Sequence, residues 1–270
     1  MNDTQTGLFN RSFGSSDRQV LAFHCTMAHS GAWRGVSAAM PEVTITAPDM
    51  LSHGRSRDWD RHGSDYLTHM VPLVEPLLDR PMDVVGHSFG GLIALNLAAR
   101  RPDRVRSLTL VEPVFFAVAR EDRPDMMATH DADAGPYIAA LKARDFELGA
   151  RLFNRMWTEG KAHWDDMPEP TRKAMARGVQ VVADCAPSTM WDQSGMLRPE
   201  VLERVKMPTL ILTGGESHPI MRVVANGLMR RLPNATAHRI RGAGHMLPIT
   251  HPYETAQELR GLMSTLKTVA

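Results

Sequence analysis

The sequence predicts an α/β fold: a mostly parallel sheet flanked by helices, with a helical lid inserted between two strands. Three observations carry this. Short apolar runs alternate with helix-like stretches along most of the chain. Most of the runs are continuous rather than alternating polar and apolar, the pattern of strands buried on both faces of a parallel sheet. One stretch, 116–193, breaks the alternation with several helical patterns and no convincing strand.

In chain order, strands are predicted over 20–25 (VLAFHC), 43–47 (VTITA), 82–85 (MDVV), 107–111 (SLTLV), 209–213 (TLILT) and 235–240. Helical periodicity marks 65–78, 90–100, 221–232 and 252–266. Pro102 lies just past the second of these, where a helix should stop. The alternation argues for β-α units around a parallel sheet. The interrupting stretch holds Trp157, Trp164 and Trp191 and much of the methionine. Met and aromatic side chains suit an adaptable apolar pocket, although most Met is expected to fill the core. Residues 116–193 are therefore assigned to a lid over a pocket, and 1–115 with 194–270 to the core; an independent helical bundle is the competing reading.

The bulk numbers narrow the function classes. A chain of 270 residues, 43% hydrophobic, can bury one large core. Lys plus Arg number 31 against 30 Asp plus Glu, a balance that calls for neither nucleic acid nor an anionic membrane. Cys25 and Cys185 are far apart in sequence and form no CxxC motif. Met1 to Asp17 is polar and lacks the pattern of a signal peptide, and no apolar run approaches the roughly 18 residues of a membrane span. The expectation is a cytoplasmic protein acting on a small molecule. Oligomeric state stays open, with a homodimer as one option.

The chemistry is concentrated at Gly86-His87-Ser88-Phe89-Gly90, which follows the run MDVV and opens an apolar helical stretch. A Gly-x-Ser-x-Gly turn between strand and helix holds serine in a strained conformation with its hydroxyl exposed above the sheet. The helix N-terminus presents free N–H groups to developing negative charge. Ser88 is the predicted nucleophile; a serine that only caps the helix is the bland alternative. A serine hydroxyl needs a base, and His245, in the glycine-rich loop Gly242-Ala243-Gly244-His245, is the candidate. Its neighbour in the turn, His87, should point away from the hydroxyl.

With these motifs the chain resembles the α/β-hydrolase superfamily, close to its lid-bearing esterase and C–C hydrolase-like members. The segment Ala47 to Ser56, APDMLSHGRS, is similar to the family's PD-x-x-G-H-G-x-S stretch, and His53 sits in this Gly/Ser-rich loop, which normally supports the pocket. His24 stands where the family usually has His-Gly, and Trp33 where many members carry tryptophan. The resemblance places the oxyanion hole at the backbone N–H groups of Phe89 and Thr26. Cys25 replaces the usual glycine and is expected to be a small buried filler.

The sequence departs from the family at the third catalytic position. His218, in Gly215-Glu216-Ser217-His218-Pro219, occupies the usual aspartate position and cannot act as a carboxylate. Glu112 follows the run SLTLV directly, at the sheet edge where Ser88 emerges, and some family members carry the acid at this strand end. A glutamate in so apolar a setting needs a partner. His245 would satisfy it, and the carboxylate would fix the imidazole tautomer. Glu112 is the predicted acid, with Glu216 as the alternative.

No GxGxxG, Walker lysine or zinc-site spacing is present, so neither cofactor nor metal is expected. A serine at position 88 also sets aside dehalogenation, which needs a carboxylate nucleophile. The expected function is hydrolysis of a small, mainly apolar carbonyl substrate, with a carboxylic ester ahead of a lactone, thioester or activated C–C bond. A non-catalytic ligand-binding protein on the same fold, and a cofactor-free perhydrolase, are the readings kept beside it.

Overall fold

The computed structural model describes residues 7–158 and 163–266. Seven strands form one sheet: β1 (Asn10–Phe13), β2 (Gln19–Phe23), β3 (Thr44–Pro48), β4 (Met82–His87), β5 (Val105–Val111), β6 (Thr209–Gly214) and β7 (Ala235–Ile240). Their spatial order is β1-β3-β2-β4-β5-β6-β7, all parallel except β1, which runs antiparallel to β3 at one edge. The six strands expected from sequence are present. The first ends at Phe23 rather than Cys25, because His24 and Cys25 turn into the loop beside Ser88. β1 had no signal of its own: NRSF lies in a polar segment, and as an edge strand it is only half-buried.

The helices are α1 (Arg34–Ala39), α2 (Tyr66–Val74), α3 (Phe89–Arg100), α4 (Phe116–Asp122), α5 (Pro124–Lys142), α6 (Phe146–Trp157), α7 (Glu169–Gly178), α8 (Val182–Trp191), α9 (Pro199–Leu202), α10 (Pro219–Arg231), α11 (Leu247–Thr250) and α12 (Pro252–Ser264). The pattern over 65–78 resolves into α2 followed by a 3-10 turn at Glu75–Leu77, since Pro76 cannot donate the next helical bond. Among the described residues no helix is long and apolar enough to cross a membrane.

The central strands are buried on both faces, as their unbroken apolar runs required. Within β2, Leu21 and Phe23 join one apolar core and Val20 and Ala22 another, so the two-residue period of the strand feeds two cores at once. The first core takes α2, α3 and α10; the second takes α1 and α12. α3 is buried along nearly its whole length, which explains an apolar helix with no polar stripe.

Helices α4 to α9 lie between β5 and β6, α4 to α8 of them within the expected insertion, of which residues 159–162 fall outside the described residues. Polar contacts fasten α8 and the end of α7 to the core. The Asp184 carboxylate accepts from Trp59 Nε1 (2.8 Å) and Gly63 N (2.8 Å), and Ser188 Oγ donates to Asp65 Oδ2 (2.7 Å). Arg177 donates to the carbonyl of Ser56 (2.6 Å) and that of Gly54 (3.1 Å). These bonds hold the insertion over the C-terminal edge of the sheet, where β4 and β5 deliver Ser88 and Glu112.

Candidate active site

Two neighbouring strand ends break out of extended geometry in the same way. Ser88 follows β4 with φ 56° and ψ −118°, and Glu112 follows β5 with φ 49°. The amide of Ser88 donates to Val111 O (2.8 Å) and that of Glu112 to Leu212 O (2.8 Å), so each strand keeps its ladder bond before the chain turns. Positive φ at a non-glycine residue costs of order 1–3 kcal/mol and persists only where the surroundings enforce it. At Ser88 the glycines do the enforcing. A Cβ on Gly86 would collide with the carbonyl of Gly90, and one on Gly90 with the carbonyls of Phe23 and His24. The turn is therefore closed to side chains on both sides of the serine.

Glu112 is completely buried and fully partnered. Its Oε2 lies 3.0 Å from His245 Nδ1, while Oε1 accepts from Gly214 N (2.6 Å) and Ser217 Oγ (2.9 Å). Three donors offset the desolvation of the carboxylate. His245 is itself buried, and it lines the same small cavity as Ser88. The structure thus brings together a strained serine, an imidazole and a buried carboxylate. Glu216, the alternative acid, is solvent-exposed, its amide donating to Ala243 O (2.8 Å). His218, in the usual aspartate position, caps α10 through Nδ1 and lies 3.2 Å from Asp133. Thr26 and Phe89 both border a cavity together with Ser88. Phe89 is the first residue of α3, where a helix leaves its amides without intrahelical partners.

Three further histidines support the site as neutral bases. His24 Nε2 accepts from Met50 N (3.0 Å) and its Nδ1–H donates to Cys25 O (2.8 Å); His53 Nε2 accepts from Met27 N (3.0 Å) and its Nδ1–H donates to Leu51 O (2.8 Å). Burial lowers His24 to about 4 and His53 to about 3. Both rings brace the loop that carries Thr26. His87 Nε2–H donates to the backbone carbonyl of His245 (2.8 Å), so the ring beside Ser88 holds the His245 loop rather than the Ser88 hydroxyl. Burial pushes Cys25 up to about 12, in keeping with an inert filler.

A stability prediction follows from the bracing histidines. Their folded values lie below the ordinary value of about 6.5, so the unfolded chain binds protons that the native chain excludes. Stability is then complete above pH 6.5 and falls as pH drops toward 4, each ring contributing a slope of up to about 1.4 kcal/mol per pH unit. Urea unfolding at pH 7.0 and 4.5 measures the slope. His53→Gln should be less stable at pH 7 and lose less on acidification; an unchanged slope in the variant would show that His53 is not excluded from protonation.

Sequence reasoning put Trp157 in the lid without placing it against His245, and missed His130. The Trp157 ring sits 4.6 Å from that of His245, and buried His130 packs against Phe116 at 4.4 Å. Both belong to the insertion, where no spacing tied them to the distant motifs.

The family model described as the alpha/beta hydrolase family matches residues 20–258. The chain belongs to that family. The chain is 39% identical over 136 residues to the lipase LipV of Mycobacterium tuberculosis, a match spanning 48% of this chain and 49% of that lipase. It is 27% identical over 241 residues to the pimeloyl-[acyl-carrier protein] methyl ester esterase of Nitrosomonas europaea, covering 86% and 90% of the two chains. Among solved structures, a hydrolase from Oleispira antarctica superposes with a TM-score of 0.73 at 16% identity, covering 97% of this chain and 96% of the other. That likeness concerns the fold.

Proposed function

We propose that the hydrolase is a serine esterase that cleaves a small, mainly apolar carboxylic ester through an acyl-enzyme. The observation that carries the reading is the buried Glu112–His245 pair, 3.0 Å apart, sharing a site with the strained Ser88. The likeness to a lipase and to methyl ester esterases supports an ester as the bond cleaved.

In this mechanism His245 Nε2 takes the Ser88 hydroxyl proton as Oγ attacks the carbonyl carbon. Glu112 holds Nδ1–H and stabilises the imidazolium. The amides of Phe89 and Thr26 donate to the oxyanion. The carbon–alkoxy bond then breaks and the alcohol leaves with the proton from His245. Water repeats the sequence on the acyl-enzyme, releasing the acid and restoring Ser88.

A fluorophosphonate probe tests the nucleophile directly. The wild-type protein should gain one phosphonyl adduct by mass spectrometry, located on Ser88, and Ser88→Ala should gain none. Absence of labelling, with tight binding of an unhydrolysed ester, would favour a ligand-binding protein instead.

A further inference from the structure

Ser88 stands between two cavities of unequal size. One, of about 340 Å³, runs beneath the insertion. The other, of about 60 Å³, is walled by His245, Met246, Cys25 and Ala28 among others. The first is thus more than five times the size of the second.

The shape of the larger cavity follows from two helix faces. On α5, His130, Ala134, Ile138 and Leu141 line it, spaced by four or three residues and so on one face. On α8, Val182, Ala186 and Thr189 do the same. The α5 stripe runs about 16 Å at about 1.5 Å per residue. Its near end is fixed by His130, whose ring lies 6.0 Å from that of Trp157, itself against His245. The far end, beside Lys142, is exposed. Alanine at 134 and 186 keeps the trough open, and the walls are mainly apolar, with Asp131 and Lys142 as the charged members.

Chemistry decides which half of an ester enters which space. The alkoxy oxygen must receive its proton from His245 as the carbon–oxygen bond breaks, so the alcohol lies on the side that His245 walls. The acyl chain extends the other way, past Phe89 and along α5. We propose that the preferred substrates are methyl or ethyl esters of unbranched carboxylic acids whose chain runs along the α5 stripe, with Ala134 and Ala186 setting the chain length the site accepts. This rests on the serine-esterase reading given above.

Two isomers of identical composition test it on the wild-type protein: methyl nonanoate, with a long acyl and a short alcohol part, and octyl acetate, the reverse. Initial rates by pH-stat should give a kcat/KM at least about tenfold higher for methyl nonanoate, of the size expected when apolar contacts are lost from a pocket. Equal rates, or faster cleavage of octyl acetate, overturn the assignment. In Ala186→Phe, the ratio of kcat/KM for methyl decanoate to that for methyl butanoate should fall at least about tenfold. Ala134→Leu provides a second, milder block should the first variant fold poorly. An unchanged ratio in folded protein overturns the role of these alanines. Turnover that survives in Ser88→Ala, or cleavage of neither isomer, sinks the serine-esterase reading itself, a result distinct from a reversed preference.

Discussion

Ser88→Ala is expected to lower kcat on a cleaved ester by about 10⁶-fold, with circular dichroism and thermal midpoint close to wild type. The size follows from the role: without Oγ there is no acyl-enzyme, and His245 and Glu112 have no nucleophile to activate. What remains is the contribution of the oxyanion site and binding, about 10³ to 10⁴ over water in enzymes with this arrangement. The backbone adds a second readout. Alanine keeps a Cβ and so keeps the positive φ of 56° under strain, whereas glycine adopts such φ readily. Ser88→Gly should therefore be as inactive as Ser88→Ala but more stable in urea by about 1 kcal/mol. If Ser88→Ala retains more than a hundredth of wild-type turnover, Ser88 is not the nucleophile.

The order of strands and the turn at Ser88 were readable because they are local: an apolar run, a glycine-bracketed serine and a helical stripe sit within one segment of chain. Glu112 was readable for an energetic reason, since an ionisable side chain within LVEPV must either be partnered or be expensive to bury. Its two other donors, Gly214 and Ser217, were not, because β6 brings them alongside only once the sheet has formed. β1 was hidden by its edge position, where half its surface is wet and polar residues suffice. The contact of Trp157 with His245, and the place of His130, were hidden because the insertion meets the core through tertiary packing. His24 and His53 matched positions of family motifs, yet their work as neutral acceptors for Met50 and Met27 depends on burial that no motif encodes.

Glu112→Gln should reduce kcat by about 10⁴-fold while leaving the fold intact. The amide has the size of the carboxylate, and its oxygen can still accept from Gly214 N and Ser217 Oγ at the position of Oε1. That choice turns the amide nitrogen toward His245 Nδ1, which must then accept rather than donate. The imidazole is left with its proton on Nε2, the nitrogen that has to receive one from Ser88, and the imidazolium loses its counter-charge. The reverse amide orientation would set an NH₂ against the N–H of Gly214 and leave a buried donor unpaired, at a cost of about 1–3 kcal/mol. Glu112→Ala should lose both stability and turnover, which makes the glutamine variant the cleaner one. Glu216→Gln, at an exposed position, should stay within about threefold of wild type, since substitutions at exposed sites usually change stability by no more than about 0.5 kcal/mol. Stopped-flow or pH-stat kcat values for both variants decide between the two carboxylates: full turnover in Glu112→Gln with loss in Glu216→Gln would move the acid to the other strand end.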